Sequence, residues 1–200
     1  MAISTVEKDL EGIIREEVAK QIANGFGQLK GEFETRLEKL EKNAQEDIVS
    51  MVVFSNDMDR ILAAYVIALG ALGMGMKVSM YFTFWGMAAV KKGTTLGGKG
   101  FKQKMVNIMT PARQEELSLS KMNFAGMGPA MFKTLMKEKG VASLQEMREM
   151  AQEMGARMIG CSMAMDVMGI REDEFIPGVE VGGVATFLED ALKSRVTLFL

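Results

Sequence analysis

The sequence predicts an α/β domain built on a mostly parallel sheet of about five strands, preceded by a long amphipathic helix. Two observations lead to this prediction. Over residues 6–40 the apolar side chains recur at spacings of three and four, which is the period of one helix face. From residue 48 onwards, short apolar runs alternate with helix-like segments, which is the pattern of successive strand and helix pairs.

The N-terminal helix carries its apolar residues in a narrow stripe, with glutamate, lysine and arginine between them. A helix cannot bury such a stripe by itself, so we expect it to pair with a second copy of the chain in a coiled coil or to lie on the main domain. Gly25, Gly27 and Gly31 each weaken the helix by about 1 kcal/mol relative to alanine, which predicts a break or bend in its middle. Residues 1–47 are interpreted as an N-terminal appendage that ends in a charged linker at residues 41–47.

The main domain, residues 48–200, follows a strand and helix order that is interrupted once. Residues 93–126 begin with a loop rich in glycine and lysine, and we interpret them as an inserted lid. Ser143 and Glu146 have the spacing of a capping box at the start of a helix. The predicted strands are residues 48–54, 77–82, 157–161, 179–181 and 196–200. The predicted helices are residues 60–73, 127–139, 143–154 and 183–193, with short helices after residues 83 and 161, while residues 101–109 fit no single pattern.

Composition excludes several classes of function. The chain contains no histidine, and therefore lacks both the usual general base at neutral pH and the commonest ligand for zinc and iron. We expect neither a catalytic triad nor a metal or other cofactor. A net charge of −2 gives no basic field for nucleic acid. With one cysteine and no apolar run that approaches the length of a bilayer span, we expect a cytoplasmic protein without a transmembrane segment.

The loop at residues 93–100 resembles a phosphate-binding loop only superficially. Its sequence fits G-x-x-x-x-G-K, but Gly100 stands where a serine or threonine should hold magnesium, and the loop follows a helix instead of a strand. Nucleotide hydrolysis is therefore not expected. We interpret the segment as a flexible basic loop whose lysines are solvated. These lysines are Lys91, Lys92, Lys99, Lys102 and Lys104.

Cys161 ends the predicted strand 157–161, at the edge where open α/β sheets place their ligands and their chemistry. It is a candidate nucleophile, although free cysteine also packs as a small buried hydrophobe. A helical turn that begins at Ser162 would favour the thiolate, whereas the carboxylate of Asp166 would oppose it if it faced the sulfur. The twenty methionines are explained as flexible packing, with a Cu(I) site as a minor alternative. The soft ligands of such a site would be Cys161, Met163, Met165 and Met168.

Several ordered blocks of this sequence resemble the signature blocks of the DsrE/DsrF-like sulfur relay family, in its branch of larger, methionine-rich members, some of which are labelled peroxiredoxin-like. The resemblance covers about residues 48–200. It implies a three-layer α/β sandwich, assembly into oligomers, and a cysteine that accepts sulfane sulfur as a persulfide. Cys161 matches that cysteine, and the sulfur would pass to a partner, commonly a small carrier protein of the TusA type. The blocks are residues 54–59, 81–86, 119–123, 161–169 and 182–186.

In such a fold, residues at the carboxyl ends of the other strands would line the site around the thiol. The backbone N–H groups of Gly182 and Gly183, which open a helix, would hold an anion such as a persulfide. Lys121 and Asn123 would reach the site from the lid. The remaining lining residues are Asn56 and Asp57 after the first strand, and Thr83, Phe84 and Trp85 after the second.

The leading hypothesis is a homo-oligomeric sulfur carrier, similar to a sulfurtransferase, in which Cys161 holds a sulfur atom for a partner protein. A single thiol without a resolving cysteine favours transfer between proteins over a self-contained dithiol cycle. Two alternatives stay open. One is a non-catalytic assembly module with a packed cysteine, and the other is a one-cysteine thiol peroxidase.

Overall fold

The computed structural model describes residues 2–42 and 45–200, with side chains described for residues 12, 15–39 and 45–200. The chain forms two compact units, and the second one, Gln45–Leu200, contains the sheet. None of the helices in the described ranges is both long enough and apolar enough to cross a membrane.

The first unit contains one helix, α1, Ala2–Lys42. The predicted break is not observed, because the helix continues through Gly25, Gly27 and Gly31. Three glycines lower helix propensity, but they do not remove any backbone hydrogen bond as proline would. The apolar stripe of α1 is exposed over residues 18–37. Its exposed large residues are Val18, Ile22, Phe26, Leu29, Phe33 and Leu37.

The second unit is built on a sheet of five strands. They are β1 Glu46–Val53, β2 Lys77–Phe82, β3 Arg157–Cys161, β4 Val179–Gly182 and β5 Ser194–Phe199. Their order across the sheet is β4-β3-β2-β1-β5, and every neighbouring pair is parallel. The predicted α/β class and its parallel sheet are confirmed. Glu46 and Asp47, predicted as part of a linker, belong to β1, while residues 43–44 of that linker lie outside the described residues.

Six helices accompany the sheet in this unit. They are α2 Met58–Gly73, α3 Phe101–Met109, α4 Met127–Glu138, α5 Leu144–Glu153, α6 Ser162–Met168 and α7 Val184–Lys193. The predicted capping box starts α5: the Ser143 hydroxyl accepts a hydrogen bond from the Glu146 N–H at 3.2 Å, and the Glu146 carboxylate accepts one from the Ser143 N–H at 2.7 Å. The segment after β2 is a 3₁₀ helix, Phe84–Val90.

Helices cover both faces of the sheet, as a three-layer sandwich requires. From β2, Ser79 donates a hydrogen bond to Asp190 of α7 at 2.6 Å, and the Tyr81 ring lies 5.4 Å from the Phe187 ring of α7. Because side chains alternate along a strand, Met80 and Phe82 point to the opposite face. Both are fully buried there, where α2 packs on β1 and β2 and is itself covered by α5.

The loop after the 3₁₀ helix holds a buried ion cluster, so the interpretation of its lysines as solvated is wrong for Lys91 and Lys99, whereas Lys92, Lys102 and Lys104 are exposed. Lys91 and Lys99 are both buried, and both pair with the buried carboxylate of Glu174. Lys91 also donates to Thr94 at 2.7 Å, and Lys99 donates to Asn107 at 3.1 Å. Burial lowers the pKa of Lys91, although the charge of Glu174 opposes that effect. Two buried cations share one anion here, so the loop is fixed to the domain by charges that are strongly desolvated.

Gly86 offers a test of how tightly the turn after β2 packs. A Cβ atom at this position would lie 2.0 Å from the backbone oxygen of Val53, which cannot move without breaking the sheet. We expect Gly86→Ala to lower the free energy of unfolding by about 2 kcal/mol or more, measured by urea denaturation. The matched control is Gly70→Ala on α2, where the added methyl meets open space and should stabilise the helix. Equal free energies of unfolding for the two variants would contradict tight packing of Gly86 against the backbone of Val53.

Candidate functional site

Cys161 is the last residue of β3 and directly precedes α6. Its side chain is 4% exposed, and its strand lies between β2 and β4 in the sheet. On the β4 side it pairs in register with Gly182. The thiol therefore stands at the carboxyl edge of the parallel sheet, which is the position predicted from the sequence.

The register between β2 and β3 determines which side chains surround the sulfur. Tyr81 is paired with Ile159, so Tyr81 projects from the same face as Ile159 and as Cys161 two residues further on. Thr83, two residues after Tyr81, continues that face just beyond the strand. The buried hydroxyls of Tyr81 and Thr83 consequently converge on the thiol.

Four neighbouring polar groups counteract the effect of burial on the pKa of Cys161. Burial alone would raise the pKa of Cys161, but the hydroxyls of Thr83 and Tyr81 and the backbone N–H groups of Ala164 and Met163 lower it, with the result that the pKa lies below the usual thiol value. A hydrogen-bond donor beside a thiol stabilises its charged form, the thiolate. The site therefore favours the thiolate, the form in which cysteine is a nucleophile.

Tyr81 is the residue of this site that the sequence analysis missed. Its hydroxyl is buried and has no hydrogen-bond partner among the described residues, but it lies close enough to the Cys161 sulfur for each group to shift the pKa of the other. Burial and this contact raise the pKa of Tyr81, so the phenol stays protonated and can donate. The sequence contained a signal for Tyr81. Side chains alternate between the two faces of a strand, so Tyr81 lies on the same face as Thr83, which was predicted as a site residue.

Gly182 is paired with Cys161, and Gly183, the next residue, lies close to Ser162. A Cβ atom on Gly182 would come within 2.9 Å of the Ile159 side chain and 3.1 Å of the Thr186 hydroxyl, so the close approach of the backbone requires glycine here. Gly183 is the residue before α7, and a Cβ atom on it would lie 3.9 Å from the Ser162 hydroxyl.

Apart from Thr83, the residues predicted after β1 and β2 lie in other local structures. Asp57 accepts a hydrogen bond from the Ser55 hydroxyl at 2.9 Å and lies 3.4 Å from Arg60, so its carboxylate is engaged in the turn before α2. Asn56 is half-buried in the same turn. Phe84 packs against Phe54 with a ring separation of 5.8 Å. Trp85 is 42% exposed.

Three further predicted residues are exposed. Lys121 and Asn123 lie in the segment before α4, where the backbone oxygen of Asn123 accepts the N–H groups of Gly126 and Gly128. The side chain of Asp166 is exposed on α6, and Asp166 is not among the groups that shift the pKa of Cys161. The predicted opposition of its carboxylate to the thiolate is therefore not observed. Across the described residues, no cluster of three or more cysteine, aspartate and glutamate side chains is arranged to hold a metal ion.

Two amides on α3 fix the far end of α6, and these residues were also missed. Gln103 donates to the backbone oxygen of Asp166 at 3.0 Å, and Asn107 donates to the backbone oxygen of Met168 at 2.7 Å. Asn107 in turn accepts from Lys99 of the buried ion cluster. Helix α3 thus holds α6, whose first turn lies beside Cys161 and lowers the pKa of its thiol.

This arrangement defines a class: a parallel α/β protein with a single thiolate-favouring cysteine at the carboxyl edge of its sheet. The model of the DsrE/DsrF/DrsH-like family matches residues 45–199, and the chain belongs to that family. An uncharacterized protein, YrkE, of Bacillus subtilis is 43% identical over 152 residues, which are 76% of this chain and 95% of YrkE. The sulfur carrier protein DsrE2 of Allochromatium vinosum is 34% identical over 158 residues, 76% of this chain and 97% of DsrE2. Among solved structures, the ychN protein from E. coli aligns with a TM-score of 0.46 and 13% identity, over 78% of this chain and 99% of that one.

The two hydroxyls can be tested by removing them without changing the shape of the site. We expect Tyr81→Phe and Thr83→Val each to raise the pKa of Cys161 and to slow its alkylation by iodoacetamide at pH 7 by about 3- to 10-fold, because the thiolate loses a donor. The measurement is the alkylation rate as a function of pH.

Tyr65→Phe is the matched control. Tyr65 is equally buried, but its hydroxyl is not among the donors to Cys161. Its removal should leave the alkylation profile unchanged. A profile of Tyr81→Phe that coincides with the wild type would show that the phenol does not act on the sulfur.

Proposed function

We propose that this protein carries sulfane sulfur as a persulfide on Cys161 and passes it to a partner protein. The observation that carries the proposal is the position of Cys161 at the carboxyl end of β3, directly before α6 and beside Gly182, where the neighbouring hydroxyls and backbone N–H groups lower the pKa of the thiol. Sulfur transfer requires the cysteine as a thiolate in two steps, first as the nucleophile and then as the leaving group. Hydrogen-bond donors near the sulfur stabilise the thiolate in both steps. The name of the relative DsrE2, sulfur carrier protein, agrees with this role.

The transfer of the sulfane sulfur atom requires no external oxidant, because each S–S bond that forms replaces one that breaks. The Cys161 thiolate attacks the outer sulfur of a persulfide or polysulfide donor, one S–S bond forms, and the S–S bond of the donor breaks with its electron pair leaving on the donor thiolate. An acceptor thiolate then attacks the outer sulfur of the Cys161 persulfide, and Cys161 leaves as a thiolate. Thr83, Tyr81 and the two backbone N–H groups stabilise that leaving group as they stabilised the nucleophile.

The acceptor thiol belongs to another molecule, because the sequence contains no second cysteine. A small sulfur carrier of the TusA type fits this requirement, as would another protein with an accessible thiol. The sulfur of Cys161 is buried, so its partner must bring the reacting thiol to the edge formed by α6 and the Gly182–Gly183 turn.

Mass spectrometry of the Cys161 peptide tests the carrier function. After incubation with polysulfide, we expect stoichiometric gain of one sulfur atom that is lost on addition of a reduced carrier protein of the TusA type. Cys161→Ser should gain none. Tyr81→Phe should load more slowly than the wild type at pH 7, since a smaller fraction of its thiol is ionised.

A parallel incubation with hydrogen peroxide separates the alternatives. Rapid sulfenic acid formation without persulfide formation would favour a one-cysteine peroxidase. Absence of reaction with both reagents would favour a packed cysteine and an assembly module, and would contradict the carrier proposal.

We further propose that α1 associates with α1 of a second copy of the chain. Its apolar positions 18, 22, 26, 29, 33, 37 and 40 follow spacings of four, four and three, an 11-residue repeat that favours a right-handed supercoil of like helices. Phe26, Leu29 and Phe33 are each more than 60% exposed. The family model matches residues 45–199 and leaves this helix out, so we assign the helix a role additional to the sulfur site.

Sedimentation velocity of the full chain tests this association. We expect Phe33→Glu to shift the protein to a smaller species, because a charge within an apolar helix interface is strongly unfavourable. Gln28→Glu adds the same charge outside the stripe and should leave the assembly unchanged. Identical sedimentation of Phe33→Glu and the wild type would contradict association through α1.

A further inference from the structure

Three phenylalanine rings form a partly exposed cluster at the edge of the sheet that carries Cys161. The Phe54 ring lies 5.8 Å from the Phe84 ring and 5.8 Å from the Phe199 ring. Phe199 is 71% exposed and Phe54 is 36% exposed. We call these three residues the Phe54 cluster. None of them is among the groups that shift the pKa of Cys161, so the thiol chemistry does not account for them.

The sheet register puts the Phe54 cluster on the face of the thiol. Val52 of β1 is paired with Tyr81 of β2 and with Phe199 of β5, and paired residues of parallel strands project from the same face. Phe199 therefore shares the face of Tyr81, which is also the face of Cys161. Phe54 comes two residues after Val52 and continues this face beyond the end of β1.

The same register sets the distance between the cluster and the thiol. Val53 is paired with Phe82, and Phe82 with Gly160. The next residues on the two outer strands of this row, Phe54 and Cys161, are therefore two strand spacings apart, which is about 10 Å.

Helix α7 covers part of this face and leaves the cluster open. It begins after the carboxyl end of β4 and ends where β5 begins, so it crosses the face obliquely. Its Phe187 packs on Tyr81 in the middle of the sheet. The carboxyl ends of β1 and β5 stay uncovered, as the exposure of Phe54 and Phe199 shows.

The backbone at Phe84 holds the cluster in a fixed arrangement. Phe84 has φ 46°, in the left-handed region that a bulky side chain rarely adopts. The bend is held by the Gly86 N–H, which donates to the backbone oxygen of Phe54 at 2.8 Å and to that of Thr83 at 3.0 Å. A strained residue persists only where its surroundings determine its conformation. The rings are therefore ordered before a ligand binds, which lowers the entropy lost on binding.

The chemistry of the cluster selects the kind of ligand. A phenylalanine side chain has no polar atom, so it offers little to a polysulfide anion and much to an apolar side chain. A polypeptide thiol that reaches the buried sulfur of Cys161 comes within range of these rings. The distance of about 10 Å corresponds to about three residues of extended chain.

We propose that the Phe54 cluster is a binding subsite for the polypeptide that accepts sulfur from Cys161, and that it holds an apolar side chain about three extended residues from the accepting cysteine. This inference rests on the carrier function proposed above and adds to it a determinant of acceptor choice.

Sulfur transfer to two blocked peptides tests the subsite. The full chain is loaded with polysulfide, and its persulfide is discharged to acetyl-Cys-Ser-Ser-Phe-amide or to acetyl-Cys-Ser-Ser-Ser-amide at pH 7. The peptide thiolate takes the outer sulfur, and Cys161 leaves as a thiolate. We expect the peptide with phenylalanine to accept sulfur about 3- to 10-fold faster, because its ring is buried against the cluster.

Phe199→Ala should reduce this preference to less than about twofold, since it removes the most exposed ring of the cluster. Leu192→Ala is the matched control. Leu192 is also exposed and apolar, but it lies near the end of α7, beside the amino end of β5 and thus at the opposite edge of the sheet. This variant should keep the full preference.

Alkylation separates failure of the subsite from failure of the carrier function. Iodoacetyl-Ser-Ser-Phe-amide and iodoacetyl-Ser-Ser-Ser-amide alkylate the Cys161 thiolate without any persulfide, and the first should react about 3- to 10-fold faster. This preference without polysulfide loading would contradict the carrier function alone.

Three results would overturn the subsite. They are equal rates within both pairs of peptides, an unchanged preference in folded Phe199→Ala, and sedimentation of Phe199→Ala as a smaller species than the wild type. The last result would show that a second copy of the chain covers the cluster.

Discussion

The parallel register between β2 and β3 is the constraint on which the site depends. This register pairs Tyr81 with Ile159. The hydroxyls of Tyr81 and Thr83 therefore lie on the same face of the sheet as the Cys161 sulfur. A shift by one residue would place Tyr81 and Thr83 on the face of the sheet opposite to that of Cys161. The register is fixed by burial on both faces, since Met80 and Phe82 fill the opposite side while Tyr81 packs against Phe187 of α7.

A second constraint acts from the inserted segment. Glu174 is held between Lys91 and Lys99, and Asn107 links Lys99 to the carboxyl end of α6. Desolvated charges are costly if left unpaired, so this cluster resists rearrangement of the segment more strongly than surface ion pairs would. The amino end of α6 supplies two donors to the thiol. Packing that is remote from the sulfur thereby contributes to the geometry of its donors.

The chemistry of Cys161 results from two opposed effects of one location. Burial by itself destabilises the thiolate, while the edge of the sheet brings two hydroxyls and two backbone N–H groups to the same atom, and together they outweigh it. The site contains neither a histidine nor a second thiol to complete a redox cycle within the chain.

The sequence by itself determined the elements and the position of the cysteine. Strands 77–82 and 157–161 were predicted with their observed bounds, because continuous apolar runs between turn residues are a strong local signal. Only the tertiary structure decided which side chains meet the sulfur. Tyr81 was missed because a buried aromatic in a strand is ordinarily core, and its role depends on register with a strand more than seventy residues later. Lys91 and Lys99 were misinterpreted for the same reason, since their counter-charge, Glu174, is equally distant in sequence, and local patterns carry no information on such pairing.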